Sequence, residues 1–311
     1  MEVAPLHEDI AKAPSGGAAH WLTTTDGLRI RVAHWRPAGA RGTVLIFPGR
    51  TEYIEKYGHV AASFAAKGLA SAVIDWRGQG LAQRLIDNPG VGHVLGFEDY
   101  QQDVAALVAH ARALDLPQPW YLLAHSMGGC IGLRAVMEGL EVRAVSFSAP
   151  MWGVLISSAM RPLAWGLSSL SLRMGFDHRL SPGQTDEFFL LKTTFGENML
   201  TNDEAMFEDM RAQLHAHPEL GLGGPSLRWL NAALREMRDL HRRLSPDLPC
   251  LTWLGSREGI VDPDRIRSRM ARWPKGRLRE VEGGQHEMLM DTAEVRAMVM
   301  GEIAAHFDAH R

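Results

Sequence analysis

Residues 120–133 read WYLLAHSMGGCIGL, and this stretch decides the predicted fold. A β-prone apolar run, residues 120–124, leads directly into a segment with helical spacing, and Ser126 lies on the turn between them. The residues two positions before and after the serine are small, Ala124 and Gly128. This context matches the nucleophile elbow G-x-S-x-G, with alanine at the first glycine position. We therefore interpret Ser126 as a nucleophile, which needs a neighbouring base for activation.

On both sides of this turn, short apolar runs alternate with amphipathic segments. The alternation predicts strand-helix-strand crossovers, and hence a mostly parallel sheet flanked by helices. Residues 1–18, rich in Pro, Ala and Gly, are expected to wrap the surface or fray. Strands are predicted at residues 21–25, 28–35, 43–47, 69–75, 120–124, 142–147, 249–254 and 278–281. Helices are predicted at residues 57–67, 100–113, 127–138, 264–273 and 295–310.

The alternation stops between residues 149 and 246, where only amphipathic segments rich in Leu, Met, Trp and Phe occur. It resumes with a strand-like run at residue 249. We therefore predict an α/β core formed by residues 1–149 and 247–311. The 150–246 segment is predicted to be a helical cap inserted into this core.

Composition excludes several classes of protein. The 311 residues include 46% hydrophobic and 22% charged residues, values that exclude an intrinsically disordered chain. A net charge of −3 argues against a nucleic-acid partner, and two cysteines are too few for a disulfide scaffold. The acidic N-terminus lacks the features of a signal peptide, and no run of 18 apolar residues occurs. We expect a cytoplasmic protein. Transient peripheral membrane contact through the cap is kept as an alternative.

The predicted base is His286, in the loop VEGGQHEMLMD (281–291) after the last strand. In nucleophile-elbow enzymes the acid lies between the serine and the histidine in chain order. Glu258 and Asp262 both follow the preceding strand. Asp262 stands before Pro263 and suits the N-cap of the next helix. We favour Glu258 as the acid and keep Asp262 as the alternative.

An oxyanion hole requires two backbone N–H groups directed at the developing negative charge. Met127, the residue after the nucleophile, is predicted to supply one. Arg50, in the loop FPGRTEY (47–53), is predicted to supply the other, with Gly49 allowing close approach. The Arg50 side chain is expected to be solvated or paired with Glu52.

The sequence predicts neither a cofactor nor a metal site. Residues 78–80 read GQG after a strand, but Gln83 stands where a dinucleotide-binding fingerprint requires its third glycine. His215 and His217 are two residues apart, a spacing that diverges on a helix. His125, beside the nucleophile, is expected to be packed rather than to act as the base.

Four segments carry a resemblance to a known family: FPGRTEYIEKY (47–57), DWRGQGLAQR (75–84), AHSMGG (124–129) and GSREGIVDP with GGQHEMLMD (255–291). They resemble the α/β-hydrolase superfamily, and in detail its monoacylglycerol lipase and lysophospholipase branch, most closely bacterial lysophospholipases. The resemblance implies an α/β-hydrolase fold, with Ser126 as nucleophile, His286 as base, and Arg50 and Met127 as oxyanion amides. Glu258 falls where relatives usually have aspartate. The 150–246 segment would be the variable cap that sets the substrate.

The resulting hypothesis is a serine hydrolase that cleaves carboxylic esters of monoacyl lipids through an acyl-serine intermediate. A general carboxylesterase and a serine aminopeptidase of the iminopeptidase type remain alternatives. The intact Ser, His and acid set argues against a non-enzymatic binding protein. The residues expected to line an acyl channel are Met151, Trp152, Trp165, Met174, Phe188, Phe189 and Trp229. The cap acids that could hold a substrate amine are Asp186, Glu187, Glu197, Asp203, Glu204, Glu208 and Asp209.

Overall fold

A nine-stranded sheet organises the computed structural model, which describes all 311 residues. The strands are ordered β1-β2-β3-β5-β4-β6-β7-β8-β9 across the sheet. Their bounds are β1 Glu2–Ala4, β2 Ala18–Thr23, β3 Arg29–Trp35, β4 Thr43–Phe47, β5 Ala70–Asp75, β6 Trp120–His125, β7 Val145–Ser148, β8 Cys250–Gly255 and β9 Gly276–Val281.

Nine helices accompany the sheet. They are α1 Glu8–Ala11, α2 Gly58–Ala65, α3 Tyr100–Ala113, α4 Ser126–Met137, α5 Met160–Met174, α6 Glu204–Ala216, α7 Leu227–Arg242, α8 Pro263–Met270 and α9 Ala293–Asp308. No helix combines the length and the apolar character that crossing a membrane requires.

The strand pairing is parallel from β5 through β4, β6, β7 and β8 to β9, and antiparallel among β1, β2, β3 and β5. All residues of β4 through β8 are buried, as expected for parallel strands covered on both faces. The predicted mostly parallel sheet flanked by helices is therefore confirmed. Because parallel strands share one orientation, their carboxyl ends and the loops that follow them lie at the same edge.

The expectation that residues 1–18 fray is wrong, because β1 and α1 pack onto the core. The buried Arg31 guanidinium donates to Pro5 O at 3.0 Å, and His7 N donates to Glu55 Oε1 at 3.2 Å. Helix α1 also lies directly against Gly58, where an added Cβ would stand 1.8 Å from the carbonyl oxygen of Ala11. The hydrogen bond from buried Arg31 and the close approach allowed by Gly58 therefore hold this N-terminal segment in place, although both residues are distant in sequence.

The chain between β7 and β8 contains helices α5, α6 and α7 and no strand of the sheet. Helices α5 and α7 pack against each other. The first turn of α7 is fixed by Ser226, whose hydroxyl accepts the Trp229 N–H at 3.1 Å. This part of the chain also approaches the loop that follows β9, where Glu287 N donates to Leu200 O at 2.7 Å.

Candidate active site

Ser126 lies where β6 ends and α4 begins, at the carboxyl edge of the parallel strands. Its φ of +48° falls in the left-handed region that residues other than glycine rarely adopt. Such strained conformations are found where a functional side chain must be presented. Gly128 is required two residues later, because a Cβ there would lie 2.1 Å from Phe47 O. The Ser126 hydroxyl makes no hydrogen bond within the chain and faces a cavity.

His286 and Glu258 form a buried hydrogen-bonded pair, with His286 Nδ1 2.8 Å from Glu258 Oε2. The other carboxylate oxygen, Oε1, accepts the N–H groups of Ile260 at 2.7 Å and Val261 at 3.1 Å. Burial alone would raise the pKa of Glu258, but the charge and hydrogen bond of His286 and these two N–H groups hold the pKa below its ordinary value. An ionised carboxylate only accepts, so Nδ1 carries the proton, which leaves Nε2 as the ring nitrogen that can accept one.

Asp262, the alternative acid, has a different position. Its Oδ1 accepts the N–H groups of Asp264 at 3.1 Å and Arg265 at 3.3 Å, with Pro263 as the first residue of α8. Asp262 is therefore the N-cap of this helix, and the structure brings Glu258 rather than Asp262 against His286.

The loop after β4 brings Arg50 to the start of α4. The Gly49 N–H donates to the Glu52 carboxylate, and Gln79 Nε2 donates to Gly49 O at 2.8 Å, so the loop is held from two sides. The Arg50 N–H has no acceptor within the chain. The Met127 N–H lies in the first turn of α4, where the backbone offers no acceptor. The close contact of Gly128 with Phe47 O places these two segments side by side.

The Arg50 side chain is not paired with Glu52, so that expectation is wrong, and it lies partly exposed in the cavity wall. It donates to Gly223 O, and its guanidinium carbon lies 5.3 Å from the centroid of the Trp229 ring. Its Nε is buried without a partner, and no carboxylate forms an ion pair with it. Burial lowers the pKa of Arg50 to about 10. The cavity wall thus carries a cation without a counter-ion.

A buried ion-pair network lies beside the His286–Glu258 pair. Lys56 Nζ is 2.6 Å from Glu52 Oε1 and 2.7 Å from Glu287 Oε1. Tyr57 OH donates to Glu52 Oε2 at 2.6 Å. The two carboxylates oppose the desolvation of Lys56 and raise its pKa. This ammonium group is the cation between Glu52 and Glu287, so these carboxylates have no need of a metal ion.

His125 completes this network. Its Nδ1 lies 3.0 Å from Ser148 O, and its Nε2 lies 3.4 Å from Glu287 Oε2 and 3.7 Å from Glu52 Oε1. Burial lowers the pKa of His125, but the two carboxylates outweigh this effect and the pKa is raised. Sequence reasoning missed this network. Its signals were the i,i+4 spacing of Glu52 and Lys56 and the position of Glu287 next to His286.

A cavity of about 480 Å³ opens onto Ser126 and His286. Hydrophobic residues make up 14 of its 26 lining residues, so the space beside the serine suits an apolar substrate group. Four of the residues predicted to line an acyl channel do so: Met151, Phe188, Phe189 and Trp229. The other three, Trp152, Trp165 and Met174, do not, and Met174 is 65% exposed.

None of the seven acidic residues between Asp186 and Asp209 that could hold a substrate amine lines this cavity. The carboxylates in its wall belong to Glu52 and Glu287, and both bind Lys56. The cavity therefore offers no unpaired carboxylate to an amino terminus.

The sheet topology and the elbow geometry define an α/β-hydrolase. The chain belongs to the family described as "Serine aminopeptidase, S33", whose model matches residues 38–293.

Two lipid-hydrolase relatives match most of the chain. It is 28% identical over 306 residues to lysophospholipase L2 of Escherichia coli (strain K12), covering 93% of this chain and 87% of the relative. It is 25% identical over 298 residues to the monoglyceride lipase of Rattus norvegicus, covering 91% and 88%. Among solved structures, a soluble variant of the Saccharomyces cerevisiae monoglyceride lipase, in complex with a substrate analog, superposes with a TM-score of 0.72. This chain and the yeast protein are 21% identical in sequence, and the superposition covers 93% of this chain and 94% of the yeast protein.

Proposed function

We propose that this protein is a serine hydrolase that cleaves the carboxylic ester of monoacyl lipids. The observation that carries the proposal is the largely apolar cavity of about 480 Å³ onto which Ser126 and the Glu258-bound His286 both open. A fatty-acyl chain gains free energy when such a wall replaces water around it. The names of the relatives, lysophospholipase and monoglyceride lipase, support the same substrate class.

In the proposed mechanism, Ser126 Oγ attacks the ester carbonyl carbon and transfers its proton to His286 Nε2. Glu258 stabilises the imidazolium that forms. The N–H groups of Arg50 and Met127 bind the oxyanion of the tetrahedral intermediate. The protonated His286 then gives its proton to the leaving alcohol, and the acyl group remains on Ser126. Water, deprotonated by His286, attacks the acyl-serine carbonyl carbon. The acyl–Oγ bond then breaks, His286 returns the proton to Ser126 Oγ, and the fatty acid is released.

We further propose that residues 150–246 form a cap over a core made of residues 1–149 and 247–311. Two observations support this division. The segment lies between two adjacent parallel strands, β7 and β8, and adds no strand to the sheet. It also contributes apolar residues, such as Phe188 and Trp229, to a cavity whose reactive groups come from the core. In this arrangement the cap selects the substrate and the core performs the chemistry.

The preferred head group is proposed to carry a phosphate, as in a lysophospholipid. Arg50 supports this choice, because it is a cation in the cavity wall without a carboxylate partner. A guanidinium binds a phosphate through charge-assisted hydrogen bonds. A monoacylglycerol has no anion to offer this group.

The exposed face of α5 supports transient contact with a membrane surface, from which a monoacyl lipid would be taken. Large apolar side chains repeat along this helix at spacings of three, seven and four residues and are about half exposed or more. They are Met160 (52%), Leu163 (56%), Leu170 (49%) and Met174 (65%).

The aminopeptidase alternative has the family description in its favour. It lacks a carboxylate in the cavity that is free to bind an amino terminus, because Glu52 and Glu287 are both engaged by Lys56. A general carboxylesterase differs from the proposed enzyme only in its preference for short acyl groups.

The deciding experiment compares kcat/KM for lysophosphatidylcholines and monoacylglycerols of increasing acyl length, p-nitrophenyl acetate and aminoacyl amides. Each buried methylene contributes about 0.8 kcal/mol, so kcat/KM should rise about fourfold per methylene until the cavity is filled. Faster turnover of aminoacyl amides would establish the peptidase. Equal turnover of acetate and long-chain esters would establish a general carboxylesterase.

A further inference from the structure

Three histidines from three different elements meet outside the catalytic cavity. His20 lies on β2, His34 on β3 and His110 on α3, and α3 packs against β2. In the antiparallel pair, His20 is opposite Val32 and His34 is opposite Ala18. This two-residue offset puts both imidazoles on the same face of the sheet. The ring centroids lie 5.0 Å apart for His20 and His110, 5.7 Å for His20 and His34, and 6.3 Å for His34 and His110.

Each of these histidines has a buried ring nitrogen that lacks a hydrogen-bond partner. These atoms are Nδ1 of His20, Nδ1 of His34 and Nε2 of His110. One potential ligand nitrogen from each ring lies within 4.8 Å of those of the other two. Neutral imidazole nitrogens are good ligands for a metal ion, and none of these three is committed to a hydrogen bond within the chain.

The donor set determines which ligand fits. No carboxylate pairs with any of the three rings, and the charged side chain that acts on His34 is the cation of Arg36. Ca²⁺ and Mg²⁺ require oxygen ligands, whereas Zn²⁺ binds neutral imidazoles.

We propose that His20, His34 and His110 form a binding site for a divalent transition-metal ion of the zinc class, with water as the fourth ligand. Tetrahedral coordination at about 2.05 Å places the nitrogens about 3.3 Å apart. The ring nitrogens lie within 4.8 Å of one another, so binding the ion requires the rings to move closer together, and His20 and His34 are partly exposed. The ion would join α3 to β2 and β3. The three histidines do not line the catalytic cavity, so this site is independent of the proposed esterase function.

A second histidine group provides a matched control. His217 Nδ1 and Nε2 lie 3.2 Å from Glu219 and 3.2 Å from Asp9, respectively, so its nitrogens already have partners. His217→Gln removes an imidazole from this group and leaves the proposed ligands in place. His20→Gln, His34→Gln and His110→Gln each remove one proposed ligand.

The experiment uses the full chain without an affinity tag, stripped of metal with a chelator and titrated with ZnCl2 by calorimetry. Mutating a residue that only hydrogen-bonds to a metal ligand lowers metal affinity by about 10–100-fold. Removing a direct ligand should therefore lower Zn²⁺ affinity by at least about 100-fold. We expect the wild-type protein and His217→Gln each to bind one Zn²⁺ with high affinity. His20→Gln, His34→Gln and His110→Gln should each show the lowered Zn²⁺ affinity. Circular dichroism verifies that each variant is folded, and His20→Gln, at a partly exposed position, remains informative if His110→Gln unfolds.

Substitution with Co²⁺ provides a second readout, because a three-imidazole site gives the intense visible bands of tetrahedral Co²⁺ without a thiolate charge-transfer band. The proposal is overturned if the wild-type protein binds no Zn²⁺ at concentrations up to about 10 μM. It is also overturned if binding survives all three ligand substitutions, or if it is lost in His217→Gln alone.

Discussion

Lys56 Nζ lies 2.7 Å from Glu287 Oε1, and this buried ion pair joins the segment that follows β4 to the residue next to His286. The same ammonium group binds Glu52, whose second oxygen accepts the Gly49 N–H. One cation therefore connects the loop of the proposed oxyanion amide with the loop of the proposed base. The relative position of these two loops depends on it.

Lys56→Met should destabilise the protein and lower kcat, because it leaves Glu52 and Glu287 buried without their cation. Removing one partner of a buried ion pair costs about 3–5 kcal/mol. The control is Lys275→Met, which removes an exposed partner of Asp247 and should cost less than about 1 kcal/mol. Urea denaturation and ester kinetics measure both effects. Equal losses of unfolding free energy and of kcat in Lys56→Met and Lys275→Met would show that Lys56 does not stabilise the two loops.

Ser126→Ala should reduce ester turnover by about 10⁴-fold or more and leave the free energy of unfolding within about 1 kcal/mol, because it removes only the attacking oxygen. A fluorophosphonate probe should label the wild-type protein at Ser126, as read by peptide mass spectrometry, and should not label the variant. If the probe labels another residue, or if Ser126→Ala retains ester turnover, Ser126 is not the nucleophile.

Glu258→Gln and Asp262→Asn are matched neutral substitutions that separate the two acids. Glu258→Gln removes the carboxylate that holds His286 Nδ1, so kcat should fall by about 10³–10⁴-fold. Asparagine is as good an N-cap as aspartate, so Asp262→Asn should leave kcat within about threefold. Asp262→Ala should cost about 1 kcal/mol of stability because the cap of α8 is lost. The reverse order of kcat values would assign the acid role to Asp262.

Arg50→Met should lower kcat/KM for a lysophospholipid more than for a monoacylglycerol of the same acyl length. A hydrogen bond to a charged group contributes about 1.5–3 kcal/mol, or about 10–150-fold. The ratio of the two kcat/KM values is the measurement, because general damage to the cavity affects both substrates alike. Arg50→Lys, which keeps the charge, serves as the control. An unchanged ratio in Arg50→Met would refute phosphate recognition by this side chain.

His125 should make stability depend on pH above neutrality. Its pKa is raised in the folded protein, so its stabilising contribution is complete below the unfolded value of about 6.5 and is lost as pH rises through the folded value. The difference in unfolding free energy between the wild type and His125→Gln should therefore be larger at pH 6 than at pH 9. Urea titrations at both values measure it. If the difference in unfolding free energy between the wild type and His125→Gln increases with pH, His125 is neutral in the folded protein.

The sequence by itself determined the sheet and the local geometry around Ser126. The runs that form β4 to β8 are rich in apolar residues, and such runs favour the interior of a parallel sheet, where all five strands are buried on both faces. The small residues Ala124 and Gly128 marked the turn, and their spacing is visible in the linear sequence. The atom that requires glycine at position 128, Phe47 O, lies on the distant strand β4 and was not visible there.

Only the tertiary structure decided which distant groups meet. It paired Glu258 with His286, put Arg50 against Gly223, brought Glu287 to Lys56, and brought together histidines from β2, β3 and α3. It also ordered the N-terminal segment through Arg31. A buried charge or imidazole is stable only with partners whose distances are set by the packing of whole elements. No spacing along the chain encodes those distances.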